Sequence, residues 1–357
     1  MERCTVCILP RNYEAVTFDE EGICNLCRDR ISSPLDEAAA AEQRTALEEI
    51  ISAVRAEGRR YDCIVPLSGG QDSAYVAYLM QRRFGLRVLA VNFDNGYRSP
   101  LALENIERTT GALRMDLITL HPDRNLLYDL YAHFFRRCGY FCAACNAFGY
   151  IVIGSFAVRE GRLRGKLPLV VGGWSRKYEY QPGLSVLSMR SFGRILCEDE
   201  ELTGRLRRSP LVEPQVFEAF LAMEDARQLL SKRPADGRAE SSLLRVIHLP
   251  EYVDWDYRTI GETLESELGW RRSSVRKDAH FDCRLAPLQE YLKHRRFGFG
   301  QMTIKNSVLV REGRMTREEA LRRAGLEQSV EPEILSEVLE RWGLTSNEVA
   351  WDGKWAE

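Results

Sequence analysis

The chain has 357 residues, with 50 Lys and Arg against 52 Asp and Glu, for a net charge of −2. That length holds one large or two moderate domains with buried cores, and the balanced charge excludes a surface given over wholly to nucleic acid. No apolar run of the roughly 20 residues that span a bilayer stands out, and the opening MERCTVC lacks a signal-peptide core. The expectation is a cytoplasmic protein with no membrane association. Its ten cysteines are then metal ligands, redox groups or small core residues rather than disulfides.

Residues 1–32 carry little core material and two cysteine pairs. Cys4-x2-Cys7, a 16-residue spacer and Cys24-x2-Cys27 form the pattern of a two-knuckle zinc ribbon. Each pair sets two thiolates at the tip of a tight turn, and four thiolates fill a tetrahedral shell with no open position, so the expected Zn²⁺ is structural. Residues 33–60, rich in Ala and Glu from Pro34 to Arg59, read as a linker helix.

The next stretch, Tyr61 to Ser73, is YDCIVPLSGGQDS. Ile64, Val65 and Leu67 suit a buried strand, Ser68, Gly69 and Gly70 let the backbone turn tightly, and AYVAYLMQRRF continues as an apolar-periodic helix. At such a junction unshielded N–H groups and the positive end of a helix dipole converge, so a pyrophosphate-sized anion can be bound largely by backbone. The loop has neither a Walker A ending nor the spacing of GxGxxG. As an ordinary turn, it would use Asp72 and Ser73 only to cap the helix.

A second strand is read from Leu86 to Val91, followed by Asn92, Asp94, Asn95 and Gly96. Asp94 and Asn95 are candidates for contacts to a ribose or adenine, or are simply turn residues. MDLITLHP and KLPLVVGGW supply two more strands. Alternation with helices over residues 61–197 predicts an α/β fold with a doubly wound parallel sheet. Gly172-Gly173-Trp174-Ser175-Arg176-Lys177 sits where a substrate-side loop opens, and Arg176 or Lys177 could stabilise charge developing at an α phosphate.

RRCGYFCAACNAF brings Cys138, Cys142 and Cys145 together. They read as thiols packed on a helix, as ligands of an iron–sulfur cluster with Cys197 or Cys283 available in place of Cys138, or as a persulfide carrier or gate. Residues 198–357 read as an insertion followed by a mainly helical, substrate-binding region. KHRRFGFG gathers Lys293, His294, Arg295 and Arg296, and RKDAHFDCR adds Arg276, Lys277, His280 and Arg284. These suit a nucleotide-sugar diphosphate or an RNA backbone, with Phe297 or Phe299 stacking on a base, or else a solvated basic face. His248 and Glu251 read as structural. Thr316 and Glu319 form a capping-box pattern.

The SGGQDS loop resembles the PP-loop, SGGxDS, of the ATP pyrophosphatase superfamily, with an adenine nucleotide α-hydrolase-like fold. The resemblance implies that ATP is split between its α and β phosphates and that AMP is attached to a carbonyl or amide oxygen. Ser68, Gly69, Gly70, Gln71 and Ser73 would then cradle ATP, with Asp72 toward Mg²⁺ or the loop backbone. CTVCILPRNYEAVTFDEEGICNLC, the loop itself and FGFGQMTIKNSVLVREGRMTREEALRR together are similar to N-acetyl sugar amidotransferases of lipopolysaccharide biosynthesis. That likeness implies adenylation of an acetamido oxygen on a small, possibly nucleotide-linked sugar, and attack by ammonia from a separate glutaminase subunit. The pair Cys142 and Cys145 resembles that of PP-loop tRNA thiolases, which implies sulfur transfer to tRNA or a small molecule instead. A nucleotide-binding module without turnover is a third reading. A homo-oligomer is expected under each.

Overall fold

The computed structural model describes residues 2–13, 16–32, 37–164, 168–174, 189–222, 244–273, 281–328, 330–345 and 348. Strand β1 (Cys63–Pro66) is apolar throughout, and successive side chains leave a strand on opposite faces. Ile64 therefore joins one apolar cluster, with Leu89, Val91 and Phe93 of β2 (Val88–Phe93). Cys63 and Val65 join a second, with Val88 and Ala90. A strand buried on both faces needs helices on both.

Those helices follow from the chain order. After α1 (Asn25–Ser32), α2 (Glu37–Ala56), α3 (Gln71–Tyr78) and α4 (Pro100–Leu113) supply Leu47, Val76 and Ile106 to the second cluster. On the opposite face α5 (Arg124–Cys138) and α6 (Phe141–Arg164) supply Leu130 and Phe148 to the first. With β3 (Asp116–Leu120), β4 (Leu169–Gly172) and β5 (Arg245–His248), the sheet is parallel throughout in the order β3-β2-β1-β4-β5. Growth reverses between β1 and β4. At such a reversal the carboxyl ends of the strands part to leave a crevice, and the SGGQDS loop leaves β1 there.

Three sequence expectations need correction. β2 begins two residues later than read and runs through Phe93, because Asn92 and Phe93 are themselves buried. The sheet also has a fifth strand, β5, beyond residue 197; its RVIH is too short and too polar to stand out as a buried run. Finally, Phe141–Leu163 is long and apolar enough to cross a bilayer, with 72% of its most apolar stretch buried. It is largely apolar because the sheet lies on one side, with Phe93 against Phe148, and on another Gly154 meets Val216 of the Pro214–Leu221 helix and Leu244, the residue before β5.

The C-terminal region contributes helices Tyr257–Leu268, Ala286–Phe297, Gln301–Arg311, Arg317–Ala324 and Pro332–Trp342. Thr316 caps its helix, Oγ1 accepting from Glu319 N at 3.2 Å. The Glu319 carboxylate pairs with Arg323, so the expected box closes on one side only. Of the expected insertion, helices Glu200–Arg207 and Pro214–Leu221 are described; residues 223–243 lie outside the described residues.

Candidate functional site

The SGGQDS loop is stitched by its own serines. Ser73 Oγ accepts from Ser68 N at 3.1 Å and donates to the Gly70 carbonyl at 3.1 Å, and Gly70 N donates to Ser68 Oγ at 3.2 Å. No side chain caps α3, so its first-turn N–H groups have no intrahelical or capping partner. Gly69 has φ +81°, and a Cβ there would lie 2.1 Å from the Ala102 carbonyl oxygen of α4. Only glycine fits where the loop rests on that helix.

Residues far along the chain hold the loop. Trp270 Nε1 donates to Gly69 O at 3.1 Å, Trp255 Nε1 to Asp72 Oδ1 at 2.9 Å, and Gln71 Nε2 to Tyr257 O at 2.6 Å. Asp72 is thus oriented by an indole, and among the described residues its other oxygen has no hydrogen-bond partner. Asp282 reaches the loop from the far side: a Cβ on Gly70 would sit 3.3 Å from its Oδ2. The same carboxylate pairs with Arg98 at 3.3 Å. Sequence reasoning passed over Trp255, Trp270 and Asp282, which carry no local motif.

Beyond β2, Asp94 is engaged by Arg124, by His121 Nδ1 at 2.9 Å and by Gly96 N at 3.0 Å. Burial works to raise its pKa, but these hydrogen bonds win and hold it below the usual carboxylate range. Asn95 turns inward: Oδ1 accepts from Tyr97 N at 3.0 Å, and Nδ2 donates to Cys283 Sγ at 3.5 Å. Arg176 and Lys177 lie outside the described residues, as do Arg276, Lys277 and His280.

Cys142 and Cys145 sit near the start of α6, half-buried. Cys138 does not join them; it closes α5 in the core, its thiol donating to Phe134 O at 3.2 Å. The third thiol is Cys283, brought alongside by pairing of its strand with Arg98. Charge on Cys283 bears on Cys142, and charge on Cys145 bears on Cys283. Burial is the main reason all three thiols are pushed up, Cys283 to about 12, so each is protonated at neutral pH until a metal or base takes its proton. Cys197 is exposed.

The four N-terminal cysteines are buried, with ligand atoms all within 4.8 Å of one another. Cys4 Sγ lies 3.8 Å from Cys27 Sγ and Cys7 Sγ 3.8 Å from Cys24 Sγ. That spacing matches the edge of a tetrahedron of thiolates about 2.3 Å from a central zinc. Cys7 N and Cys24 N donate to Cys4 Sγ at 3.4 and 3.3 Å. Hydrogen bonds from Cys24 and Cys27, with Arg311 nearby, push Cys7 far down toward thiolate, and Arg311 Nη1 approaches its sulfur at 3.6 Å. Four buried thiols so arranged could hold a metal such as zinc.

Of the C-terminal basic and aromatic segment, Lys293 and Phe299 are buried, Arg296 is half-buried, and Arg284 and Arg295 are exposed. Lys293 is 5% exposed, its Nζ over the Tyr140 ring at 4.9 Å. Arg296 donates to Cys138 O at 2.7 Å, and Arg284 pairs with Glu337. Phe299 is buried edge-on to Tyr13 of the N-terminal segment. In FGFGQMT, Gly300 admits two carboxylates to the start of the Gln301–Arg311 helix: its Cβ would lie 2.6 Å from Glu290 Oε2 and 3.0 Å from the Glu327 carboxyl. Glu290 accepts from Gln301 N at 2.7 Å and the wholly buried Glu327 from Gly300 N at 2.9 Å and Thr303 N at 2.6 Å. These acids satisfy the helix's orphan donors.

Residues 273–351 match the family model described as LPS biosynthesis protein WbpG-like, C-terminal domain. The match supports kinship with lipopolysaccharide-biosynthesis proteins and hints at a sugar-modifying role. A 145-residue stretch is 28% identical to an uncharacterized protein of Methanocaldococcus jannaschii, covering 40% of this chain and 50% of that one. The chain thus spans half the length of that relative.

Proposed function

We propose that this protein is a PP-loop ATP pyrophosphatase that activates the amide or carbonyl oxygen of a small acceptor, an acetamido sugar, for displacement by ammonia. The observation that carries the reading is the SGGQDS loop at the sheet's reversal point, with bare helix N–H groups and an indole-held Asp72. The acceptor oxygen attacks the α phosphorus, the bond to the bridging oxygen breaks, and pyrophosphate leaves. Ammonia then adds to the carbon, AMP departs with the oxygen, and solvent takes the released protons. Ser68, Gly69, Gly70, Gln71 and Ser73 receive the departing phosphates; Asp72 is the carboxylate suited to Mg²⁺, which neutralises phosphate charge when bound. Ammonia comes from a partner glutaminase.

The test is product analysis with labelled ATP. AMP and pyrophosphate are expected, and Asp72→Asn should slow their formation by about 100-fold with little change in melting temperature, because an amide oxygen can still accept from Trp255. ADP and orthophosphate would overturn the reading.

One observation favours a second reading, ATP-dependent sulfur transfer: Cys142, Cys145 and Cys283 converge beside Asn95 and the Asp282 contact to the loop. Three thiols there fit the ligand set of an iron–sulfur cluster, which is larger than a single ion and spreads its ligands wider. Anaerobic purification should then yield iron and sulfide that are lost, with activity, in Cys142→Ser. Full ammonia-dependent turnover in the Cys142→Ser, Cys145→Ser double variant would leave the thiols as packing groups.

A further inference from the structure

β5 ends on His248, in register with Gly172 of β4. The side chain is 6% exposed, and among the described residues neither ring nitrogen has a hydrogen-bond partner. A neutral imidazole carries one N–H donor and one acceptor, so two polar atoms stand unpaired in the interior, an arrangement native structures seldom keep without use. Burial lowers the pKa to about 4, so the ring is uncharged at neutral pH.

The packing around the ring is specific. A Cβ on Gly172 would lie 2.8 Å from Nδ1, so that glycine is what admits the imidazole. The Trp174 ring meets it edge-on, with centroids 5.4 Å apart. The next residue, Gly173, rests on the loop: its Cβ would lie 3.1 Å from Asp72 Cβ. Gly172 thus meets the imidazole and the next residue, Gly173, meets the backbone and Cβ of Asp72, which places both at the carboxyl edge of the sheet. A histidine kept for packing alone would be bonded or would be an apolar ring.

We propose that His248 is an acceptor-binding residue of the crevice, hydrogen-bonding an uncharged amide or hydroxyl group of the molecule presented beside the SGGQDS loop. This rests on the reading of that loop as the nucleotide site. The test follows the imidazole nitrogens by NMR in ¹⁵N-histidine-labelled protein, with the His248 signals assigned through His248→Gln. Mg²⁺ with α,β-methylene-ATP, or UDP alone, should leave them in place, whereas UDP-N-acetylglucosamine should shift them. By calorimetry, His248→Leu should lose at least tenfold in affinity for UDP-N-acetylglucosamine and keep nucleotide affinity within twofold. Its ligand-free melting temperature should rise, since two unpaired polar atoms are gone. Signals that move with nucleotide or UDP alone, or with no ligand, would overturn the proposal, as would a leucine variant that retains both affinities. If the ATP analogue fails to bind the wild-type protein, the loop reading falls separately, whatever the sugar does to His248.

Discussion

Gly69→Ala is expected to abolish ATP binding and to destabilise the fold by about 3 kcal/mol. The added methyl has nowhere to go: its carbon would lie 2.1 Å from a backbone oxygen of α4, and φ at +81° is strained for any side chain. Relief requires the loop to lift from α4, which also breaks the Trp270 bond to the Gly69 carbonyl. Gly70→Ala is the control. Its φ of −73° is ordinary, and its methyl meets only Ser68 Oγ at 3.2 Å and the end of Asp282 at 3.3 Å, so it should fold normally. Thermal melts with and without Mg-ATP separate the two; a Gly69→Ala protein that melts and binds like wild type would mean the loop is not held as described.

The second large effect concerns the N-terminal thiols. Purified protein should carry one equivalent of zinc, and Cys24→Ser or a strong chelator should cause a multi-degree fall in melting temperature and aggregation, because zinc binding supplies about 10 kcal/mol or more to folding of such small units. The damage would not stay local. Arg317 Nε bonds Cys4 O at 3.3 Å and Cys7 O at 3.2 Å, and Ile8 packs with Ala320 and Ala324; losing the ribbon bares an apolar face of the C-terminal helices. A metal-free preparation whose Cys24→Ser form melts at the wild-type temperature would dismiss the site.

The four-cysteine cluster and the strand-loop-helix turn could be read from the chain because both are local: a few residues at fixed spacing set the turn, and glycine marks where a side chain is excluded. What could not be read acts over distance. Trp255 and Trp270 reach Asp72 and Gly69 across 183 and 201 residues, and no periodicity announces that. Sequence proximity groups Cys138 with Cys142 and Cys145, yet Gly139, at φ +66°, ends α5, and the Cys138 thiol bonds back to Phe134 O. Cys283 takes its place through a bridge to Arg98. The FGFGQMT segment was legible as a signature but not as a role, since its glycine answers to two acids, Glu290 and Glu327, on either side of it in the chain.

The dependence of the loop on Trp255, Trp270 and Asp282 also sets an order of events during synthesis. When β1 and α3 leave the ribosome, the groups that pin Asp72 and Gly69 have yet to be made, and at about 5–20 residues per second the loop waits on the order of ten seconds or more for them. The fixed geometry of the loop is therefore a late event in biogenesis, and a nascent chain stalled before residue 255 would carry the SGGQDS sequence without the indole bonds that hold it.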